Sequence, residues 1–145
     1  MPPQTQRERN APLVLIVDDN PRNLQVLGPT LREQRYDLTA ATDGETALRI
    51  AHEAEPDLIL LDIMMPGMDG YTVCERLKAS PTTAEIPVIF LTARTDTDSL
   101  VKGFELGAVD YVTKPFQRQE LLSRVSTHLE LREARRRLVE KNAKL

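Results

Sequence analysis

The stretch Pro56-Asp57-Leu58-Ile59-Leu60-Leu61-Asp62-Ile63-Met64-Met65-Pro66-Gly67 decides how the rest of this 145-residue chain is read. Four consecutive large apolar residues, Leu58 to Leu61, predict a strand buried on both faces, as in a parallel sheet. The run stops at an acid followed by Pro-Gly turn chemistry, which puts Asp62 at the carboxyl end of that strand. In open α/β folds this is the edge where loops diverge over a rigid sheet and where ligands and chemistry collect.

Working outward, the same pattern recurs. Leu13-Val14-Leu15-Ile16-Val17 is a second continuous apolar run and also ends in acid, Asp18-Asp19. Asn20-Pro21 supplies an N-cap followed by proline at the first helical position, and Leu24, Leu27 and Leu31 carry helical spacing to about Gln34. Pro29 conflicts with that helix, because an interior proline costs roughly 3 kcal/mol, and a kink or irregular turn is expected there. A weak strand over residues 37–41, a helix opened by Asp43-Gly44-Glu45, and a helix over Tyr71–Ala79 follow. Pro87 to Leu91 reads as a fourth strand ending in Thr92-Ala93, and a helix over about Asp96–Leu106 stops at Gly107, a C′ glycine. Val109 to Val112 is a fifth strand, followed by Thr113-Lys114-Pro115-Phe116. Strands alternating with helices of this length predict a parallel sheet with helices on both faces.

Composition bounds the function. The length and the 41% apolar content suit one domain with extensions. A single cysteine, Cys74, excludes an internal disulfide and a cysteine zinc cluster; it reads as core filler and fits a reducing, cytoplasmic setting. His52 and His128 have no partners at ligand spacing and read as surface residues. No segment approaches the ~20 apolar residues needed to span a membrane. Residues 1–117 carry 11 basic and 18 acidic side chains, whereas 118–145 carry 8 basic and 4 acidic. An acidic body argues against direct nucleic-acid binding, which uses basic patches.

Four strand ends point to one edge: Asp18-Asp19, Asp62, Thr92 and Lys114. Ionised carboxylates a few ångströms apart repel by about 4 kcal/mol per pair at 4 Å with an effective dielectric of ~20. A hard divalent cation relieves this, and Mg²⁺ suits a site with few carboxylates and several waters. Such an ion also neutralises a phosphoryl group in transfer. The Asp62 carboxylate is then the nucleophile, with Lys114 and the Thr92 hydroxyl holding phosphoryl oxygens.

These motifs together resemble the response-regulator receiver domain of two-component signalling: Val17-Asp18-Asp19, Leu61 to Gly70, Leu91-Thr92-Ala93, Gly107-Ala108 and Asp110 to Phe116. The resemblance covers roughly residues 12–130. It implies a doubly wound five-stranded parallel sheet of order 2-1-3-4-5, the flavodoxin-like receiver fold. It implies phosphorylation of Asp62 by a sensor histidine kinase, a phosphotransfer protein or a small phosphodonor. It also implies Mg²⁺ held by Asp19, Asp62 and the Met64 carbonyl, with Asp18 assisting largely through water. Thr92 and Tyr111 become a switch pair. A phosphoryl group adds about −1.5 to −2 charges at Asp62, drawing Thr92 inward and letting Tyr111 rotate. A shift from 1:99 to 99:1 needs about 5.5 kcal/mol of differential interaction. The resemblance further implies a cis Lys114-Pro115 bond, and it makes Met64 and Arg94 the positions that tune phosphoryl lifetime. Neither is an acid or amide suited to orient water, so a long-lived phosphoryl group is expected.

Two other functions compete. A Mg²⁺-dependent phosphohydrolase with an aspartate nucleophile wants a second acid two residues on, where this chain has Met64. A flavin-binding protein of this topology wants a hydroxyl- or glycine-rich phosphate loop after the first strand, where this chain has Asp-Asp-Asn-Pro-Arg-Asn.

The ends are read separately. Residues 1–11 are expected to be disordered. The last helix shows no stop signal from Arg118 to Leu145 and would span about 42 Å, too long to pack wholly on a five-stranded sheet. Residues 131–145 are expected to project as a linker. Leu131, Leu138 and Leu145 recur every seven residues, as in a coiled coil of a homodimer, and the basic run from Arg132 to Arg137 reads as its solvated face. An output domain is expected to lie outside this chain.

Overall fold

The computed structural model describes residues 11–93 and 96–143. Five strands and five helices alternate: β1 (Leu13–Val17), α1 (Pro21–Arg32), β2 (Asp37–Ala41), α2 (Gly44–Ala54), β3 (Leu58–Asp62), α3 (Gly70–Ala79), β4 (Val88–Thr92), α4 (Thr97–Glu105), β5 (Asp110–Thr113) and α5 (Arg118–Ala143). The strands pair in parallel in the order β2-β1-β3-β4-β5, the doubly wound sheet expected.

The unbroken apolar runs are explained by a core on each side. Leu15, Val17, Ile59, Leu61, Val88 and Phe90 face α2 and α3, where they meet Ala47, Ala51, Val73, Cys74 and Leu77. The alternate residues Val14, Ile16, Leu58, Leu60, Ile89 and Leu91 face α1 and α5, against Leu27, Leu31, Leu121, Val125 and Leu129. Each fully buried leucine contributes about 1.5–3 kcal/mol, so neither face of β1, β3 or β4 tolerates a polar residue. β2, at the sheet edge, is half-exposed and correspondingly poor in large apolar side chains.

Local signals set the helix starts. Asn20, Asp43, Asp69 and Asp96 each accept a hydrogen bond from a backbone N–H of the following first turn. Pro29 does not break α1: the helix runs through it to Arg32, held by the packing of Leu27 and Leu31. Tertiary burial overrides the local cost. Gly107 has φ +109° and ends α4 as expected. The Lys114-Pro115 bond is cis.

α5 runs the length of the sheet and beyond it, leaving Leu131, Leu138 and Val139 exposed. The basic run is not uniformly solvated. The Arg132 side chain is 12% exposed; its Nη1 donates to the Glu85 carbonyl at 2.7 Å, and its Nε lies 3.9 Å from Asp57 Oδ1. Arg136 reaches the same Asp57 oxygen at 3.3 Å, while Arg135 and Arg137 stay exposed. Asp57 also accepts from the Leu13 N–H at 2.8 Å, so it ties the start of β1 to α5. Residues 1–10, Arg94 and Leu145 lie outside the described residues.

Candidate functional site

The sheet register builds the site. Val17 pairs with Leu61, Asp62 with Leu91, and Thr92 with Thr113. The residues that follow β1 and β5 and those that end β3 and β4 are therefore level with one another at one edge. The Lys114 N–H donates to the Thr92 carbonyl at 2.9 Å, carrying the ladder one residue past β5 and aiming the lysine back across β4.

Lys114 Nζ lies 3.0 Å from Asp62 Oδ1 and 3.2 Å from Asp18 Oδ2. One oxygen from each of Asp18, Asp19 and Asp62 falls within 4.8 Å of the others. The three acids differ in setting. Asp18 is fully buried and bonded to the start of α1: Oδ1 accepts from the Asn20 N–H and Oδ2 from Asn23 Nδ2, both at 2.9 Å. Asp19 is exposed at the mouth. Asp62 is 3% exposed, and its Oδ1 also accepts from the Met64 N–H at 3.3 Å. Burial raises the Asp62 carboxyl to about 6 against the pull of Lys114; the Asp18 charge adds to the rise and the Met64 N–H opposes it.

Close backbone packing holds the phosphoacceptor candidate. The Gly70 N–H donates to the Ile63 carbonyl at 2.9 Å and closes the loop after β3. A Cβ on Gly70 would stand 2.3 Å from the Asp62 carbonyl oxygen and 2.7 Å from Ile63 Cα. Only glycine fits there, which allows α3 to start directly against the end of β3. Gly67, at φ +75°, makes the turn itself. In that loop Met65 is buried, and Met64 is 61% exposed.

Thr92 is buried and Tyr111 half-buried, and both line a cavity of about 10 Å³ with Ile63, Phe90, Ser99, Leu100, Gly103 and Phe104 among its walls. The cavity has room for about one water. Tyr111 packs edge-on against Phe104, with ring centroids 6.3 Å apart, and the Arg124 guanidinium lies 5.5 Å over its ring.

A family profile for the response regulator receiver domain matches residues 14–126, the stretch that contains every one of these side chains. The chain belongs to the response regulator receiver domain family. Among relatives of the receiver are Response regulator PleD of Caulobacter vibrioides, 46% identical over 77% of this chain and 25% of that protein, and the DNA-binding response regulator MtrA of Mycolicibacterium smegmatis, 44% identical over 86% and 52%. The receiver thus spans a quarter to about half of the length of these relatives. Among solved structures, the receiver domain of the sensor histidine kinase PA1611 from Pseudomonas aeruginosa PAO1, with a magnesium ion coordinated in its active site cleft, is 32% identical with a TM-score of 0.77. The match covers 83% of this chain and 98% of that one. Phosphorylation-activated two-component signalling is the function class of this receiver.

The receiver brings Asp18, Asp19, Asp62, Thr92 and Lys114 to one edge and Tyr111 to the cavity behind Thr92. Arg94 lies outside the described residues. Two features were not foreseen. Asn23, one helical turn after Asn20, donates its side-chain N–H to Asp18 Oδ2 and fixes that carboxylate; its signal is an amide in the first turn of the helix that follows the acid. His128, read as a surface residue, is 15% exposed and pairs through Nε2 with Asp110 Oδ2 at 3.0 Å. Burial pushes the Asp110 carboxyl up, but Arg124, the Tyr111 N–H and His128 together hold it below the usual range. That partnership spans 18 residues and has no local signature.

Proposed function

We propose that this receiver is a signalling switch with Asp62 as its phosphoacceptor. The observation that carries this is the approach of Lys114 to both Asp62 and Asp18 at the edge where three carboxylates converge. In the reaction, an Asp62 carboxylate oxygen bonds to phosphorus while the bond from phosphorus to the donor's nitrogen or oxygen breaks, the electron pair leaving with the donor. Lys114 stands where it can hold a phosphoryl oxygen, and the Thr92 hydroxyl supplies a second donor.

The donor set fits Mg²⁺: hard carboxylate oxygens, one exposed at the mouth, close enough to share one ion. Asp19, Asp62 and the Met64 carbonyl would hold it. Asp18, whose oxygens already serve Asn20, Asn23 and Lys114, would assist through water. When bound, the ion supplies charge neutralisation for the transferring group.

A sensor histidine kinase or phosphotransfer protein in the cytoplasm is the donor in this reading, and Thr92 with Tyr111 is the switch pair. The chain's own chemistry is confined to its phosphorylation and slow dephosphorylation, with Met64 and Arg94 unsuited to activate water. Residues 12–130 form the receiver proper. Residues 131–145 form the linker toward an output domain, and the exposed Leu131 and Leu138 mark a homodimer seam. The body's acidic surface disfavours nucleic acid as a direct partner.

The test is intact-mass measurement after incubation with a small acyl phosphate and Mg²⁺. The wild type gains one phosphoryl group and Asp62→Ala gains none. Equal labelling of the two removes Asp62 from the role, and a phosphoryl half-life of seconds removes Met64 and Arg94 as slow-rate positions.

A further inference from the structure

Helix α4 buries little of its own apolar surface against the sheet: Gly103 is its one buried residue, Leu100 is half-buried, and Val101 and Phe104 are exposed. Gly103 lies flat on Phe90, where an added Cβ would come within 2.8 Å of the ring. What ties α4 sideways is Tyr71, the second residue of α3. Its hydroxyl donates to the Ser99 carbonyl at 3.2 Å, the Lys102 ammonium sits 4.4 Å over its ring, and the ring stands edge-on to Phe90 at 5.5 Å. Tyr71 follows Gly70, which is packed directly against the backbone of Asp62. It is therefore rooted at the candidate phosphoacceptor and reaches across to α4.

The same α4 residues wall the cavity behind Thr92. Ser99, Leu100, Gly103 and Phe104 line it together with Thr92 and Tyr111. At about 10 Å³ it admits a water but not a phenol ring. When Thr92 is drawn inward, α4 still supplies four of the remaining walls, so a Tyr111 side chain entering there presses on α4 and stretches the bond from Tyr71 to Ser99. A contact present in one state and lost in the other biases the equilibrium between them.

We propose that Tyr71 is a positioning residue that restrains α4 in the resting arrangement and so sets how readily the receiver switches. This rests on the switch reading of Thr92 and Tyr111 given above. Linkage makes the restraint measurable at Asp62: whatever favours the switched state tightens binding of a phosphoryl group or its analogue, by the same factor.

The experiment is calorimetric titration of beryllium trifluoride, a phosphoryl analogue, at fixed Mg²⁺. The proteins are wild type, Asp62→Ala, Tyr71→Phe and Lys102→Met. Tyr71→Phe keeps the ring and removes only the hydroxyl; Lys102→Met weakens the tether from the solvent side without entering the core. Wild type binds, Asp62→Ala does not, and Tyr71→Phe binds about two- to tenfold more tightly, the worth of one hydrogen bond. Lys102→Met shifts in the same direction by less. Amide exchange in α4 of analogue-free Tyr71→Phe is faster than in wild type. If wild type binds while both tether variants match it or bind more weakly, the restraint is overturned and the assignment of Asp62 stands. If Asp62→Ala binds as wild type does, the phosphoacceptor reading falls and takes the restraint with it.

Discussion

The ammonium of Lys114 bridges Asp62 Oδ1 at 3.0 Å and Asp18 Oδ2 at 3.2 Å, so one cation from the end of β5 holds together two buried carboxylates at the ends of the adjacent strands β1 and β3. With Asp18 bonded to the start of α1 and Asp19 exposed, this bridge governs how much negative charge the site presents to a metal or a phosphoryl group.

Lys114→Met therefore separates two roles. The three carboxylates lose their internal counter-charge, so Mg²⁺ affinity rises. Phosphoryl uptake falls by about 10²-fold, the usual cost of removing one aimed charge donor. Calorimetry with Mg²⁺ and labelling by a small phosphodonor check the two halves; a parallel fall in both contradicts the bridge.

Asp62→Asn should stabilise the metal-free protein near neutral pH. The folded chain holds the Asp62 proton more tightly than the unfolded chain, with a carboxyl at about 6 against an ordinary value near 4. The stability contributed by the neutral carboxyl is therefore complete below about pH 4 and lost as pH rises through about 6. Thermal unfolding across this window should show an advantage for Asp62→Asn on the order of 2 kcal/mol at neutral pH, closing in acid. Added Mg²⁺ should narrow it by stabilising the wild type. Parallel pH profiles would refute the assignment.

Gly70→Ala forces backbone against backbone, since its Cβ meets the Asp62 carbonyl at 2.3 Å. A loss of about 1–3 kcal/mol is expected, together with slower phosphorylation, because Asp62 shifts with its carbonyl. Gly67→Ala is the control: its φ of +75° brings backbone strain, but nothing within 4 Å opposes the new methyl. Equal phosphorylation rates in the two variants would show that Gly70 supports the fold alone.

At the opposite edge of the sheet, Arg132 and Arg136 converge on Asp57 while Arg135 meets an exposed Glu85. Burial lowers the Arg132 guanidinium, and the neighbouring Arg136 adds to the fall, so its partners matter. Arg132→Met should cost about 1–2 kcal/mol in chemical denaturation, while Arg135→Gln stays within ~0.5 kcal/mol. The reverse ranking would mean that α5 is not anchored through Asp57.

Much of this was open to local reading. β1, β3 and β4 were legible because burial on both faces leaves no polar alternation, and the acids that stop those runs are marked by the turn chemistry after them. α3 starts at Gly70, one residue before the expected Tyr71, because the close approach that demands glycine there belongs to the far strand end and not to the helix. Pro29 leaves α1 unbroken because propensity weighs one residue, whereas α1 is held by Leu27 and Leu31 on the sheet. The candidate site was legible as a set of residue types at strand ends, and the family likeness supplied their roles.

What the sequence by itself determined is the alternation of elements, the parallel sheet, and the gathering of Asp18, Asp19, Asp62, Thr92 and Lys114 at one edge. Those follow from period, capping and turn chemistry within about ten residues of each position. Only the tertiary structure decided that Asp18 is buried while Asp19 is exposed, that His128 meets Asp110, that Tyr71 reaches Ser99 and that Arg136 reaches Asp57. The last two join positions 28 and 79 residues apart. Such pairings depend on the spacing and rotation of packed helices, which no local pattern encodes.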